Sequence, residues 1–262
     1  MGCRIPHSSL PDLEALPVRP EFHALAMPRT GRGEIEDLLL DGERLPGMRM
    51  LRVYVPAAEL RGERPLPVLL VNDGHKAFEP ANHEHVSALH QSGTLQLHRV
   101  MDGLLCTGAV RPAVVVAVGT HASTRADHYV PVRTRFGDVG DVYLDLLEHE
   151  VLPLVRRALP NVVLSEAAAD RVLVGSSIGG VAALYGAMQR PQVFGAAVAM
   201  SPSAWVDDGF LTRLAADGRT VTARIAADVG SGEREPIRDH CRRLFAALGE
   251  RTNGSVQAGE VD

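Results

Sequence analysis

The amino-acid sequence predicts an α/β fold with a mostly parallel central sheet flanked by helices and an antiparallel hairpin at its N-terminal edge. Short, wholly apolar runs alternate with helical stretches, as is typical of strands that helices cover on both faces. The 262 residues are 45% hydrophobic, which is enough for one large core. A turn at Asp41-Gly42 separates two strand-like segments that precede the first apolar run.

The predicted elements follow one another in the order that such a sheet requires. Residues 1–30 are rich in proline, and their apolar residues show no regular spacing, so we expect an irregular arm there. We expect a single domain over residues 31–262. We expect a hairpin of edge strands, then buried parallel strands, at 34–40, 48–55, 68–71, 114–118, 172–174 and 196–200. Helices are expected at 141–159, 181–189 and 238–248, the first capped by Asp138 or Asp141.

Composition excludes several functional classes. The formal net charge of −5 and the lack of a basic stripe argue against a nucleic-acid partner. The three cysteines, Cys3, Cys106 and Cys241, are widely spaced without a CxxC pair, so neither a disulfide framework nor a thiolate metal site is predicted. No secretory signal or membrane-spanning run is visible. We therefore expect a cytoplasmic protein without a membrane partner.

A serine between two glycines marks the candidate reaction centre. Gly175-Ser176-Ser177-Ile178-Gly179 follows an apolar strand and opens a helix, the context of the nucleophile elbow of α/β-hydrolases. Glycines two residues either side of Ser177 let the strand and helix approach closely, and Ser177 is the predicted nucleophile. The alternative interpretation is a glycine-rich strand–helix turn without chemistry.

Two turns are candidates for the donors of an oxyanion hole. The backbone N–H of Ile178 lies at the positive end of the following helix. A second donor is expected after the strand at 68–71, where Gly74 permits a tight turn and the backbone of His75 donates. The alternative is an ordinary turn in which Asp73 caps a helix.

Four segments together resemble the putative-esterase family of α/β-hydrolases. They are residues 70–74, residues 125–131, the glycine-flanked Ser177 with its following double glycine, and Ser201-Pro202-Ser203-Ala204-Trp205. That family includes enterochelin esterases, feruloyl esterases, S-formylglutathione hydrolase (esterase D) and mycolyltransferases. The resemblance covers about residues 35 to 250 and implies an α/β-hydrolase fold with ester chemistry.

The resemblance also implies an acid and a substrate pocket. In the family the acid follows the next strand, and Glu233 matches that position best, with Asp228 second. Their alternative role is that of solvated turn carboxylates. Arg125, Tyr129 and Trp205 are the candidate pocket residues, although structural packing is an equal alternative for Trp205.

The catalytic histidine is where the sequence departs from the family. It should follow the acid, yet only His240 does, and His240 lies inside a predicted helix. Residues 255–262 resemble the strand that leads into the histidine loop, so we expect the domain as given to end before that loop and to be a weak catalyst. His83-Glu84-His85, with His75 and His90, lacks ligand spacing, and no metal site is predicted.

Three functional hypotheses follow. The first is a serine esterase that cleaves a small-molecule carboxylic ester or thioester through an acyl-enzyme on Ser177, without a cofactor. The second is an acyltransferase with the same nucleophile, in which an alcohol replaces water. The third is a catalytically impaired binding protein with a hydrolase fold.

Overall fold

One mixed sheet organises the molecule. A computed structural model of the chain describes residues 32–78, 95–121, 123–131, 139–217, 220–251 and 256–262. The strands in these residues are β1 (Glu34–Gly42), β2 (Gly47–Val55), β3 (Val68–Val71), β4 (Val114–Val118), β5 (Arg171–Ser176), β6 (Ala196–Met200), β7 (Arg224–Gly230) and β8 (Val256–Val261). They form a sheet of eight strands in the order β1-β2-β4-β3-β5-β6-β7-β8. The predicted arm at residues 1–30 lies outside the described residues.

The N-terminal hairpin is antiparallel and lies at one edge of the sheet, as predicted. β1 is the outermost strand, and β2 pairs with β1 on one side and, through Leu51–Tyr54, with β4 on the other. The remaining pairings, from β3–β4 to β7–β8, are parallel.

Alternating side chains of the central strands fill two apolar layers. In β4, Val114, Val116 and Val118 belong to the main core, whereas Val115 and Ala117 point to a second cluster on the opposite face. This alternation has the period of two that an extended strand imposes. It confirms that the continuous apolar runs are strands covered on both faces.

The helices over the same residues are α1 (Leu97–Cys106), α2 (Arg125–Tyr129), α3 (Gly140–Leu146), α4 (Leu152–Ala158), α5 (Ile178–Gln189), α6 (Phe210–Ala216) and α7 (Glu235–Arg251). The helix predicted at 141–159 is α3 and α4 joined by a π-helical turn, Leu147–Val151. Within the described part of the chain, no helix has the length and apolar content needed to cross a membrane.

Of the two expected caps of the 141–159 helix, Asp141 was wrong. Asp138 lies outside the described residues, and Val139 is the N-cap of α3 without a side-chain hydrogen bond. The Asp141 carboxylate instead accepts a hydrogen bond from the Tyr185 hydroxyl at 2.9 Å. Asp141 therefore ties α3 to α5 rather than satisfying the N–H groups of its own helix.

Parallel pairing brings the ends of four strands to one edge of the sheet. Val71 at the end of β3 pairs with Val174 of β5, Ser176 of β5 pairs with Met200 of β6, and Met200 pairs with Asp228 of β7. The segments that follow these strands therefore meet above this carboxyl edge. They hold most of the candidate site residues.

Candidate active site

Ser177 occupies a sharp turn between β5 and α5. Its φ of 54° and ψ of −125° lie where non-glycine residues are strained. Hydrogen bonds hold this backbone: the Ser177 N–H donates to the Met200 carbonyl at 3.0 Å, and the Ser177 carbonyl accepts from the Ser203 N–H at 3.0 Å. The residue is exposed, although Gly175 and Gly179 on either side are buried. The fold thus presents the Ser177 hydroxyl to solvent on a fixed backbone.

The two flanking glycines make different close contacts. A Cβ on Gly175 would lie 2.2 Å from the carbonyl oxygen of Gly179, which confirms that Gly175 lets β5 and α5 approach closely. A Cβ on Gly179 would lie 3.0 Å from Asp73 Oδ2 and 3.2 Å from Asn72 Cβ. These are side-chain atoms of the turn after β3, so Gly179 leaves room for that turn and not, as predicted, for its own strand.

The Ser177 hydroxyl has a serine as its neighbour. Its Oγ lies 3.1 Å from Ser203 Oγ. Among the residues that the structure describes, Ser203 is the hydrogen-bond partner of this hydroxyl, and no histidine fills that position. The one histidine after the predicted acids, His240, lies in α7 beside Gly209. Its Nδ1 is 3.7 Å from the position that a Cβ on Gly209 would take.

The turn after β3 lies beside the Ser177 turn, as the oxyanion-hole hypothesis requires. The residue in the left-handed region is Asp73, with φ 58°, and not Gly74. Gly74 is needed for a different reason, because a Cβ there would lie 2.6 Å from the carbonyl carbon of Ala117 in β4. Gly74 and His75 open a 3₁₀ helix and Ile178 opens α5. First-turn N–H groups have no acceptor within their own helix.

Buried polar groups join the two turns. Asn72 Nδ2 donates to the Gly179 carbonyl at 2.8 Å, and its Oδ1 accepts from the Tyr143 hydroxyl at 2.6 Å. The Tyr129 hydroxyl accepts from the Asp73 N–H at 2.9 Å. Burial raises the pKa of both phenols, so each stays neutral. Sequence reasoning missed Asn72 and Tyr143; the signal available for Asn72 was a polar residue directly after a buried strand.

Tyr129 differs from the other predicted pocket residues. Its side chain is fully buried, and its hydroxyl also lies 3.0 Å from Thr120 Oγ1. In this structure Tyr129 has no surface with which to contact a substrate. Its contacts support the Asp73 turn instead.

Arg125 and Asp73 form a mostly buried ion pair at the carboxyl edge of the sheet. Arg125 Nε donates to Asp73 Oδ1 at 2.6 Å, and one terminal nitrogen donates to Oδ2 at 2.7 Å. The guanidinium also lies 5.6 Å from the ring centroid of Tyr129. Asp73 makes no side-chain capping bond, so the carboxylate serves the ion pair and not a helix end. Arg125 remains 22% exposed at its side chain, which leaves part of it available to a ligand.

We expect Arg125→Met to lower the free energy of unfolding by about 3 kcal/mol, because the Asp73 carboxylate would stay buried without its counter-charge. Urea denaturation measures this difference. Arg156→Met is the matched control, since the Arg156–Glu166 pair has side chains 44% and 78% exposed. That control should change the unfolding free energy by no more than about 0.5 kcal/mol. Equal effects of the two variants would contradict the assigned importance of the buried pair.

Both candidate acids lie near the end of β7. Asp228 is half-buried within the strand, and burial raises the pKa of its carboxyl while a hydrogen bond from the Ser201 N–H opposes that shift. Glu233 follows the strand in a turn closed by its N–H to the Gly230 carbonyl at 3.0 Å. Cys241 lies near both: burial raises the pKa of its thiol to about 11, a hydrogen bond to the Ala204 backbone opposes that shift, and the charges of Glu233 and Asp228 add to it. The choice between Glu233 and Asp228 stays a prediction.

Two further predictions concern Trp205 and metal binding. Trp205 is partly buried and packs against the main core. No group of three potential metal-ligating side chains occurs in the ranges that the structure describes. His83, Glu84, His85 and His90 lie outside those ranges.

Comparisons with known proteins point to one family. The family model described as Putative esterase matches residues 42–253. An iron(III) enterobactin esterase of Escherichia coli O6:H1 is 25% identical over 244 residues, covering 90% of this chain and 54% of the relative. A siderophore triacetylfusarinine C esterase of Aspergillus fumigatus is 29% identical over 157 residues, covering 55% of this chain and 46% of the relative. The chain thus spans about half the length of these two esterases.

A solved structure shares the fold. The enterobactin esterase from Shigella flexneri, determined in the presence of enterobactin, aligns with a TM-score of 0.71 at 21% identity. The alignment covers 89% of this chain and 55% of that chain. The predicted α/β-hydrolase fold is confirmed, including the mostly parallel sheet and the antiparallel edge pairing.

Proposed function

The chain belongs to the family described as Putative esterase, and on that premise we propose that it is a serine esterase that cleaves a carboxylic ester or thioester through an acyl-enzyme on Ser177. The observation that carries this proposal is the exposed Ser177 hydroxyl on a strained strand–helix turn at the carboxyl edge of the sheet. Such a turn presents a nucleophile while the following helix directs its first N–H groups to the same place.

The proposed reaction has two steps. Ser177 Oγ attacks the carbonyl carbon while its proton passes to a histidine base, and the base then protonates the leaving alcohol or thiol. Water cleaves the acyl-enzyme in the second step. The N–H of Ile178 and one N–H from Gly74-His75 are the proposed donors to the developing oxyanion. The side-by-side turns after β3 and β5 support this arrangement, and no cofactor is needed.

A siderophore ester is the proposed first substrate class. Two matched proteins are named as esterases of iron(III) enterobactin and of triacetylfusarinine C, and their matches support this choice. The partly exposed Arg125 guanidinium beside the Ser177 turn is suited to an anionic or catechol-bearing ligand. A cytoplasmic location stays a prediction.

A binding protein without turnover is the second candidate. The observation that favours it is the neighbour of the Ser177 hydroxyl, which within the described residues is Ser203 and not a base. An acyltransferase would use the same nucleophile and differ only in the acceptor of the acyl group.

Covalent labelling of the full protein tests the proposal. We expect a fluorophosphonate to form an adduct on Ser177, identified by peptide mapping, because only Ser177 lies on the exposed turn. An adduct on Ser176 alone would move the nucleophile by one residue, and the absence of any adduct would favour the binding protein.

Two substitutions separate the candidate acids. Glu233→Gln should reduce turnover by about 10²- to 10⁴-fold, since an orienting carboxylate holds the imidazole and stabilises its cation. Asp228→Asn should leave turnover within a few-fold. A crippling effect of Asp228→Asn would transfer the role to Asp228.

The pH dependence of stability gives Asp228 a separate signature. Because burial raises its folded-state pKa above the unfolded value of about 3.9, the folded protein binds this proton more tightly. Its contribution to stability is therefore present at low pH and lost as pH rises through the folded pKa. Asp228→Asn should remove that loss, so its stability relative to the parent should increase from about pH 3 to pH 7 in urea denaturation.

A further inference from the structure

Ser203 contacts Ser177 through both its main chain and its side chain. The Ser203 N–H donates to the Ser177 carbonyl at 3.0 Å, and the two Oγ atoms lie 3.1 Å apart. Ser203 is only 5% exposed, whereas Ser177 is exposed. A buried hydroxyl thus supports the proposed nucleophile from the protein side and leaves its other side open to a substrate.

The segment Ser201–Ser203 is itself anchored to neighbouring elements. The Ser201 N–H donates to the Asp228 carbonyl at 2.9 Å, and Ser201 Oγ accepts from the Gly230 N–H at 3.2 Å. The Cys241 thiol donates to the Pro202 carbonyl at 3.3 Å. The two residues before Ser203 are therefore held by β7 and α7, so contacts other than those with Ser177 also anchor this segment.

We propose that Ser203 is a positioning residue that fixes the Ser177 side chain and donates a hydrogen bond to Ser177 Oγ as that oxygen gives up its proton. The inference rests on the proposed function. Either hydroxyl can be the donor before reaction. When the Ser177 proton passes to the base and the bond from Oγ to the carbonyl carbon forms, Oγ can only accept, and Ser203 keeps its own proton as the donor.

The test compares the rates at which a fluorophosphonate inactivates the parent protein, Ser203→Ala and Ser203→Thr. We expect Ser203→Ala to react about 10-fold more slowly, the effect of losing one hydrogen bond in the transition state. Ser203→Thr keeps the hydroxyl and should react within a few-fold of the parent. Ser165→Ala is the matched control, since Ser165 is buried and its Oγ donates to Asp170 at 2.7 Å outside the proposed machinery. The control should keep the parent rate.

Equal inactivation rates for Ser203→Ala and the parent would overturn the inference, and so would a folded Ser203→Thr that reacts as slowly as Ser203→Ala, because the missing hydroxyl would then not be the cause. If Ser203→Ala does not fold, Ser203→Gly, which also lacks the hydroxyl, takes its place in the comparison. A parent protein that forms no adduct on Ser177 is a different result, which removes the proposed function and this inference together.

Discussion

Ser177→Ala is expected to reduce the turnover of an activated ester by about 10⁴-fold or more, because the acyl-enzyme cannot form without the hydroxyl. The variant should unfold within about 1 kcal/mol of the parent, since Ser177 is exposed and, within the described residues, its hydroxyl has a hydrogen-bond partner only in Ser203 Oγ. Steady-state kinetics with p-nitrophenyl esters, together with urea denaturation, measure both quantities.

The size of this loss also reports on the base. Residues of a catalytic triad act as a unit, so removing the serine has a large effect only where a base is available to activate it. Ser176→Ala is the matched control, one residue away at the end of β5, and should keep turnover within a few-fold. Equal turnover of Ser177→Ala and the parent would favour the binding protein over the esterase.

Gly175→Ala is expected to lower the free energy of unfolding by about 3 kcal/mol or more. The added Cβ would lie 2.2 Å from the Gly179 carbonyl oxygen, a backbone atom that cannot rotate away. Relief requires α5 to move from β5, which would also strain the hydrogen bond from Asn72 to Gly179. Urea denaturation measures the loss, and activity should fall with it.

Gly249→Ala provides the comparison for that variant. Gly249 lies in α7, and a Cβ there would meet nothing within 4 Å. Alanine in a helix interior is favoured over glycine, so this control should stabilise the protein by about 0.5 to 1 kcal/mol. Equal urea midpoints for Gly175→Ala and Gly249→Ala would contradict the prediction, because the close contact at Gly175 would then have no effect on the free energy of unfolding.

The parallel strands could be predicted because burial on both faces leaves a simple pattern. β4 is five buried apolar residues in a row, β6 is apolar throughout, and β5 has an apolar run at residues 172–174. The π-helical turn at Leu147–Val151 could not be predicted, since its buried residues continue the helical pattern and only the hydrogen-bond partner changes. α1 and α2 begin without a side-chain cap, and α2 has five residues, so neither carries a start signal.

The candidate site likewise has a part that could be predicted and a part that could not. The turn at Ser177 could be predicted because the small residues that it needs lie only two positions away in the chain. The bonds of Asn72 to Gly179, and of Tyr143 to Asn72, join residues 107 and 71 positions apart, and no local pattern encodes such partners. Tyr129 was expected in a pocket, but a tyrosine suits an exposed loop and a core with one polar contact equally well. The sequence alone therefore does not distinguish the two locations.

The strand order has a consequence for access to Ser177. The chain adds β4 on one side of β3 and β5 on the other, so the direction of growth of the sheet reverses at β3. α1, which follows β3, packs on the second cluster, whereas α5, which follows β5, packs on the main core. The two connections therefore leave β3 and β5 for opposite faces of the sheet, which makes these neighbouring strands its topological switch point. Ligands of open α/β sheets bind at such points, so we expect a substrate of Ser177 to bind above the ends of β3 and β5.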